Sequence, residues 1–452
     1  MMFSTDNQTL VDLGIFGKGG GIFGMYDRSF TRGGGAVLEE WLRYPLDNAD
    51  SINRRTGIIR YFGAAGTSFP FNRELFDGAE QYLSERDERT RLTAQQQSLG
   101  QKLSGLVAAD TGYKTIVKGI SSLTRLLQQL NAFIQGEAAL HNKDYSEERK
   151  NIEALLSEAA FVPLLSENTQ GKLPQDKLVA YDNILRFRHY KESKRLLHYM
   201  YCVDAYLSVG QTAKEHGWNF AAAKYAEGNA TSLQLKDVKH PAVANAKGND
   251  ITIDEEHNVV FLTGANMAGK STFMKSVGIA VYLAHCGFAV AAKEMTFTPL
   301  EGMFSTINLP DNLGMGASHF YAEVLRVKKV AQELHAGKRL FVLFDELFRG
   351  TNVKDAGEAT VAVVEGFAKK TGSLFIISTH IIEAGDILQQ QTNHIQYQYL
   401  PTKMEGHNPV YTYKLEEGIT ADRHGMVIIR NEGIIEMLEK NAAGQLTMDN
   451  RP

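Results

Sequence analysis

Residues 264 to 272 read Gly264-Ala265-Asn266-Met267-Ala268-Gly269-Lys270-Ser271-Thr272. They directly follow the apolar run Val259-Val260-Phe261-Leu262 and directly precede a helical pattern that starts at Phe273. A strand that breaks at glycine and restarts as a helix is the setting of a phosphate-binding loop. Gly264 and Gly269 allow the backbone to wrap close to phosphates, and successive N–H groups and the following helix start meet the negative charge. Lys270 is expected to reach the β/γ-phosphates and Ser271 to ligate Mg²⁺, while Asn266 orients phosphate or the Mg²⁺ shell. Ala265, Met267, Ala268 and Thr272 complete the expected nucleotide-binding stretch.

A phosphate loop alone does not imply hydrolysis, which also needs carboxylates beside it. The run Leu340-Phe341-Val342-Leu343-Phe344 ends in Asp345-Glu346. Acids at the carboxyl end of a buried strand need a partner cation, so Asp345 is assigned to Mg²⁺ and Glu346 to the attacking water. A third apolar run, Leu374 to Ile377, ends in Ser378-Thr379-His380. Taken alone, His380 admits two readings: a sensor of the γ-phosphate at the same sheet edge, or a structural histidine.

Between the loop and the acidic strand lie Asp311-Asn312-Leu313-Gly314-Met315-Gly316-Ala317-Ser318-His319-Phe320 and Glu323. This stretch resembles the signature segment of MutS-family ATPases: Gly316, Ser318, Phe320 and Glu323 match in register, and His319 stands where Thr is usual. The phosphate loop is similar to the family's Gly-Pro-Asn-Met-Gly-Gly-Lys-Ser, with Ala265 and Ala268 in place of Pro and Gly. Arg349-Gly350-Thr351 followed by Asp355, and the pair Thr379-His380, match two further family motifs. The resemblance implies ATP with Mg²⁺ as cofactors, a P-loop ATPase, and a homodimer in which Ser318 acts in trans on the nucleotide of the other subunit. By itself Ser318 reads as a helix cap. Residues 243 to 250 hold no aromatic where the family stacks one on adenine, which leaves selection of adenine over guanine open.

A second resemblance, to the opening of the MutS core domain, is carried by Met25-Tyr26-Asp27-Arg28-Ser29-Phe30-Thr31-Arg32 and by Leu38 to Leu46. It appears within the first 50 residues. The expectation is therefore a short form lacking the N-terminal mismatch-recognition and connector domains. The one Phe-x-Glu tripeptide, Phe344-Asp345-Glu346, belongs to the acidic strand, so direct mismatch reading is not expected.

Residues 70 to 235 read as mostly helical. One apolar stripe comprises Ile120, Leu123, Leu127, Leu130 and Ile134, and another Ile152, Leu155, Leu156 and Ala159. A polar turn between Pro163 and Pro174 precedes a helical stretch from about Lys177 to His216, with little room for a clamp domain. The basic cluster Arg186, Arg188, Lys191, Lys194 and Arg195 is either a phosphate-contacting surface or a solvated helix face. The apolar stretch Ile279 to Ala292 reads as a buried helix running into a strand, too short to cross a bilayer.

The fold class expected is an α/β P-loop NTPase (ABC-like ATPase) domain at the C-terminus, residues 240–452, with short terminal dimerisation helices. An all-α core and lever domain, residues 1–239, precedes it. With 48 basic against 52 acidic residues, charge does not itself argue for nucleic acid. The leading functional reading is an ATP-dependent DNA-binding protein whose dimer controls a helical clamp in repair or recombination, with other repair proteins as partners. The alternative is a nucleotide-switched scaffold acting on proteins. A Leu-Ser-Gly-Gly signature, as in ABC transporters and chromosome-maintenance ATPases, is absent. Two cysteines far apart, Cys202 and Cys286, and an N-terminus without a secretory pattern suit a cytoplasmic protein with no membrane partner.

Overall fold

The computed structural model describes residues 3–93, 107–169, 171–225, 228, 230–307, 319–348, 351–405, 408–420, 429–430 and 433–443. Its first half is built of helices: α1 (Asn7–Asp12), α2 (Arg32–Arg43), α3 (Ala49–Ala64), α4 (Glu74–Ser84), α5 (Val107–Gln135), α6 (Ser146–Leu156) and α7 (Tyr190–His216). The stripe read along α5 is real, with Ile120, Leu123, Leu127, Leu130 and Ile134 all buried. Each such side chain contributes roughly 1.5–3 kcal/mol when removed from water. The second stripe is shorter than read, because α6 ends at Leu156 and Ala159 is exposed beyond it.

The stretch expected as one helix from Lys177 is a helix over Gln175–Asp182, a π-helical turn over Asn183–Arg188, and then α7. This corrects the basic cluster, because Arg186 is fully buried. Its Nε and Nη2 donate to the two carboxylate oxygens of Asp182, each at 2.7 Å, and its guanidinium also donates to the Glu85 carbonyl, the Thr90 hydroxyl and the Thr90 carbonyl. Asp182 in turn accepts from the Tyr82 hydroxyl and the Leu92 amide. A guanidinium with its donors satisfied in this way is a clamp on the 85–92 segment and offers nothing to a phosphate.

The second half starts with β1 (Leu233–Val238) and β2 (Asn249–Ile253). They are followed by β3 (Val259–Gly264), α8 (Lys270–His285), β4 (Glu294–Phe297), β5 (Gly302–Thr306), α9 (His319–His335), β6 (Leu340–Phe344), α10 (Val353–Ala368), β7 (Leu374–Ser378), α11 (Ile382–Gln391) and β8 (Ile395–Leu400). The main sheet has the order β8-β3-β7-β6-β5, all parallel, extended at the β8 edge by the antiparallel pair Glu416–Glu417. Strands 3, 5, 6 and 7 are apolar without alternation because both faces are covered. Val260, Leu262, Leu343 and Ile376 join one core with α8 and the helical half. Val259, Phe261, Val342, Phe344, Phe375 and Ile377 join a second core with α9 and α10. A smaller sheet is formed by Ala222–Ala223, β4, β1 and β2 in that order.

The halves meet at the far end of α8. Tyr282 donates to the Leu42 carbonyl at 2.6 Å, Arg55 to the Cys286 carbonyl at 3.0 Å and Thr56 to the Gly287 carbonyl at 3.2 Å. The Leu46 amide donates to the His285 carbonyl. These donors satisfy carbonyls that a helix end leaves open. The N-terminal segment also lies on the second half: Ser4 pairs with Gly302 at the sheet edge, Asp12 accepts from Ser305 and the Ile307 amide, and Asp6 accepts from Arg326 and Lys329 of α9. Among the described residues, no helix is long and apolar enough to cross a membrane.

Candidate functional site

The parallel sheet brings three loops to the carboxyl edge of adjacent strands, where open α/β sheets build their sites. β3 leads through residues 265–269 into α8, β6 ends at Asp345-Glu346, and β7 ends at Ser378-Thr379-His380. Strand order β3-β7-β6 places the histidine strand between the other two. The loop after β3 and Glu346 at the end of β6 line one cavity of about 580 Å³ together with residues from distant parts of the chain.

The loop from Ala265 to Thr272 lines the cavity together with Glu346, and His240, Val243, Asn245, Lys247 and Tyr413 are among the other lining residues. Gly269 has φ +102°, which side chains rarely adopt, and a Cβ there would lie 3.0 Å from the Tyr413 ring. No side chain caps the start of α8, so its first-turn N–H groups face the cavity side of the loop as anion donors. Lys270 is buried, and its Nζ donates to the Gly264 carbonyl at 2.8 Å and the Ala265 carbonyl at 3.2 Å. Burial draws its ammonium below the ordinary lysine value, and the nearby Asp345 and Glu346 carboxylates oppose that shift.

The acidic pair is held from behind. The Ser378 hydroxyl donates to Asp345 Oδ1 and accepts from the Glu346 amide at 3.1 Å, and the Asp345 amide donates to the Thr306 carbonyl at 2.9 Å. Glu346 sits at φ +54°, a conformation costing of order 1 kcal/mol for a residue with a side chain and concentrated at functional corners. Its Oε1 lies 2.7 Å from His380 Nε2. The His380 ring thus contacts the Glu346 carboxylate directly.

The expected residues Gly264 to Thr272, Asp345, Glu346 and His380 are therefore neighbours in space. Ser318, with Gly316, Arg349 and Gly350, lies outside the described residues. Sequence reading missed Tyr413, an aromatic wall of the cavity supplied from far beyond residues 243 to 250. Tyr413 is fixed by backbone contacts, its carbonyl accepting from Asn249 Nδ2 at 3.0 Å while the Leu415 amide donates to Asn249 Oδ1 at 2.8 Å. Its φ of +54° turns it out of the preceding strand pair, and no local pattern in the sequence signals that turn. Ser378 was also missed as the residue organising the acidic pair, although its place at a strand end beside Thr379-His380 was a usable sign. His240, another ring on the cavity, has its imidazole pulled below the ordinary value by burial and by Lys275.

A parallel sheet with a glycine-cornered strand-to-helix loop, an acidic strand end and a histidine strand end is the architecture of a P-loop ATPase-type domain. Residues 260–448 match the family model described as MutS domain V. The chain is similar to the DNA mismatch repair protein MutS of Listeria innocua, at 30% identity over 46% of this chain and 26% of that protein. It is also similar to the MutS of Fusobacterium nucleatum, at 29% over 46% and 23%, and of Aquifex pyrophilus, at 28% over 53% and 28%. These similarities support a MutS-family protein, partial in form, the likeness being carried by about half of the chain. It spans about a quarter of the length of these curated relatives.

Proposed function

We propose that this chain binds ATP with Mg²⁺ in the cavity beside α8, hydrolyses it in a homodimer, and uses the cycle to act on DNA in a repair or recombination role. The observation that carries this reading is the convergence of Lys270 and Glu346 on one cavity beside a glycine-cornered helix start, with His380 in contact with Glu346. A volume of about 580 Å³ suits a nucleotide. The buried Lys270 ammonium and the uncapped first turn of α8 fit a triphosphate, and Tyr413 offers a ring for a purine to stack on.

Ser271 and Asp345 are the hydroxyl and carboxylate suited to hold Mg²⁺, which when bound neutralises phosphate charge. Glu346, fixed by its strained backbone and the Ser378 hydroxyl, accepts a proton from the attacking water. His380 orients Glu346 through the 2.7 Å contact and stands ready to donate to the phosphate side. Ser318 is proposed to act in trans. The exposed Tyr321 and Leu325, one turn apart on α9 just after it, provide apolar surface for a second copy. The similarity to relatives named for DNA mismatch repair supports DNA as the partner.

The test is the steady-state ATPase rate with no DNA, matched duplex, mismatched duplex and a four-way junction, with Lys270→Ala as the blank. Stimulation by duplex or junction is expected, and a rate indifferent to every DNA would replace this reading with a nucleotide-switched protein scaffold. Mixing a Ser318→Ala variant with Lys270→Ala is expected to restore part of the activity. No recovery in a mixture shown to exchange subunits would remove the trans role.

A further inference from the structure

Burial of Arg186 removes one member of the basic cluster of the helical half, yet the remaining members converge with a residue that sequence spacing did not connect to them. Lys191, Lys194, Arg195 and His198 are all exposed and stand at i, i+3, i+4 and i+7 on α7, which is one helix stripe. Arg188 is exposed on the turn just before it. From the end of α4, Arg86 brings its guanidinium to 4.0 Å from the centre of the Tyr190 ring, and the Lys194 ammonium lies 5.7 Å from the same ring. Two cations share one aromatic platform.

The patch collects several cations that lack counter-charge on one helix stripe, whereas many other surface cations are paired. Arg43 is paired with Glu39, Arg149 with Glu153, Lys236 with Glu294 and Lys369 with Glu365. Among the described residues Arg86, Arg188, Lys191 and Lys194 have no acidic partner. The flanking Glu158 is engaged with His189 at 3.5 Å, and Glu192, half-buried, is the acid of the first turn of α7. Like charges collected on one face of a chain with net charge −4 repel one another until an anion arrives.

We infer that the face formed by Arg86, Arg188, Lys191, Lys194 and Arg195 binds the phosphate backbone of a nucleic acid. The stripe from residue 188 to 198 is about 15 Å long, so it addresses a row of phosphates and not a single anion. A membrane surface is disfavoured because no large apolar side chain is exposed among the described residues between 163 and 224, whereas interfacial helices bury apolar side chains beside their charges. Contacts of this kind confer affinity without sequence preference and leave an aromatic edge for a base or sugar. The inference rests on the reading of the chain as DNA-acting and names the surface that serves it.

The experiment is anisotropy with a labelled duplex of about 30 base pairs over a salt series, on the full chain. The wild type is compared with Lys191→Glu/Lys194→Glu/Arg195→Glu, with the single variant Arg86→Glu on a separate element, and with the control Arg43→Glu/Lys236→Glu/Lys369→Glu of equal charge change. Melting temperature and DNA-free ATPase rate serve as folding controls. The triple reversal is expected to weaken binding at least tenfold and to flatten the slope of log K against log salt by about 2 to 3, with Arg86→Glu intermediate and the control unchanged. Wild-type affinity and slope in both α7 and Arg86 variants would overturn the inference while leaving DNA action intact. Absence of any nucleic-acid binding by the wild type would overturn both, as would binding only to vesicles rich in anionic lipid.

Discussion

The imidazole of His380 lies 2.7 Å from the carboxylate of Glu346, although 34 residues separate them and they come from the ends of two adjacent parallel strands. Groups in such contact act as a unit, so their substitutions are not additive. Glu346→Gln is expected to lower kcat at least a hundredfold while ATP still binds, and His380→Ala to lower it by ten- to a hundredfold. The double variant is expected to be no worse than about threefold below Glu346→Gln. Independent, multiplying losses in single-turnover assays would show that the contact has no catalytic role.

Lys270 and Tyr413 both line the cavity and predict different defects. Lys270→Ala is expected to weaken a fluorescent ATP analogue by at least tenfold, because the buried ammonium is the positive charge of the loop. Tyr413→Ala is expected to raise KM for ATP several-fold with kcat nearly retained, and Tyr413→Phe to restore it, since stacking needs only the ring. A Tyr413→Ala enzyme with unchanged KM would remove the ring from the base site.

Gly269→Ala tests the corner of the loop. At φ +102°, with the Tyr413 ring 3.0 Å from the new Cβ, alanine forces the backbone or the ring to move. The expected result is loss of nucleotide affinity with a melting temperature lowered by a few degrees, corresponding to about 1–2 kcal/mol. Unchanged affinity in isothermal titration would mean that the loop tolerates relaxation.

Arg186 predicts a stability effect away from the cavity. Arg186→Ala leaves the carboxylate of Asp182 buried without its partner and should cost about 3–5 kcal/mol. Arg186→Lys should not rescue it, because an ammonium cannot make the paired contacts to Asp182 and also reach Glu85 and Thr90. Urea unfolding of the two variants decides the matter.

His285 predicts a pH dependence. Burial pushes its pKa from 6.5 down to about 4. Between these values the unfolded chain binds a proton that the folded chain refuses, so stability falls as pH drops from about 6.5 to about 4 and is flat above. The contribution is on the order of 3 kcal/mol across that window. In unfolding curves at pH 7.5 and 5, His285→Gln should lose less stability on acidification than the wild type, and an equal loss would assign the dependence to other groups.

The sheet and its three chemical strand ends were legible because each is contiguous. The run Leu340 to Phe344 needs no partner to be recognised as a strand buried on both faces, and the stripe from Ile120 to Ile134 announces the buried side of α5 in the same way. Arg186 was misread because its exposed neighbours Arg188, Lys191, Lys194 and Arg195 share its charge. Its burial depends on a π-helical turn and on acceptors at Glu85 and Thr90, about a hundred residues away. Tyr413 was invisible for a related reason: its role comes from a positive φ and from Asn249, neither of which has a local sequence signal.

The amino-acid sequence alone determined three strands of the main sheet, at 259–262, 340–344 and 374–377, the loop from Gly264 to Thr272, and the acidic and histidine strand ends. These depend on the chemistry of neighbouring residues and on backbone rules acting over a few positions. Only the tertiary structure decided that His380 touches Glu346, that Tyr413 walls the cavity, that Arg86 joins the α7 stripe, and that Asp6 and Asp12 bring the N-terminus onto α9 and the sheet edge. Such contacts are settled when many distant surfaces are buried together, and no single stretch of chain contains the information for them.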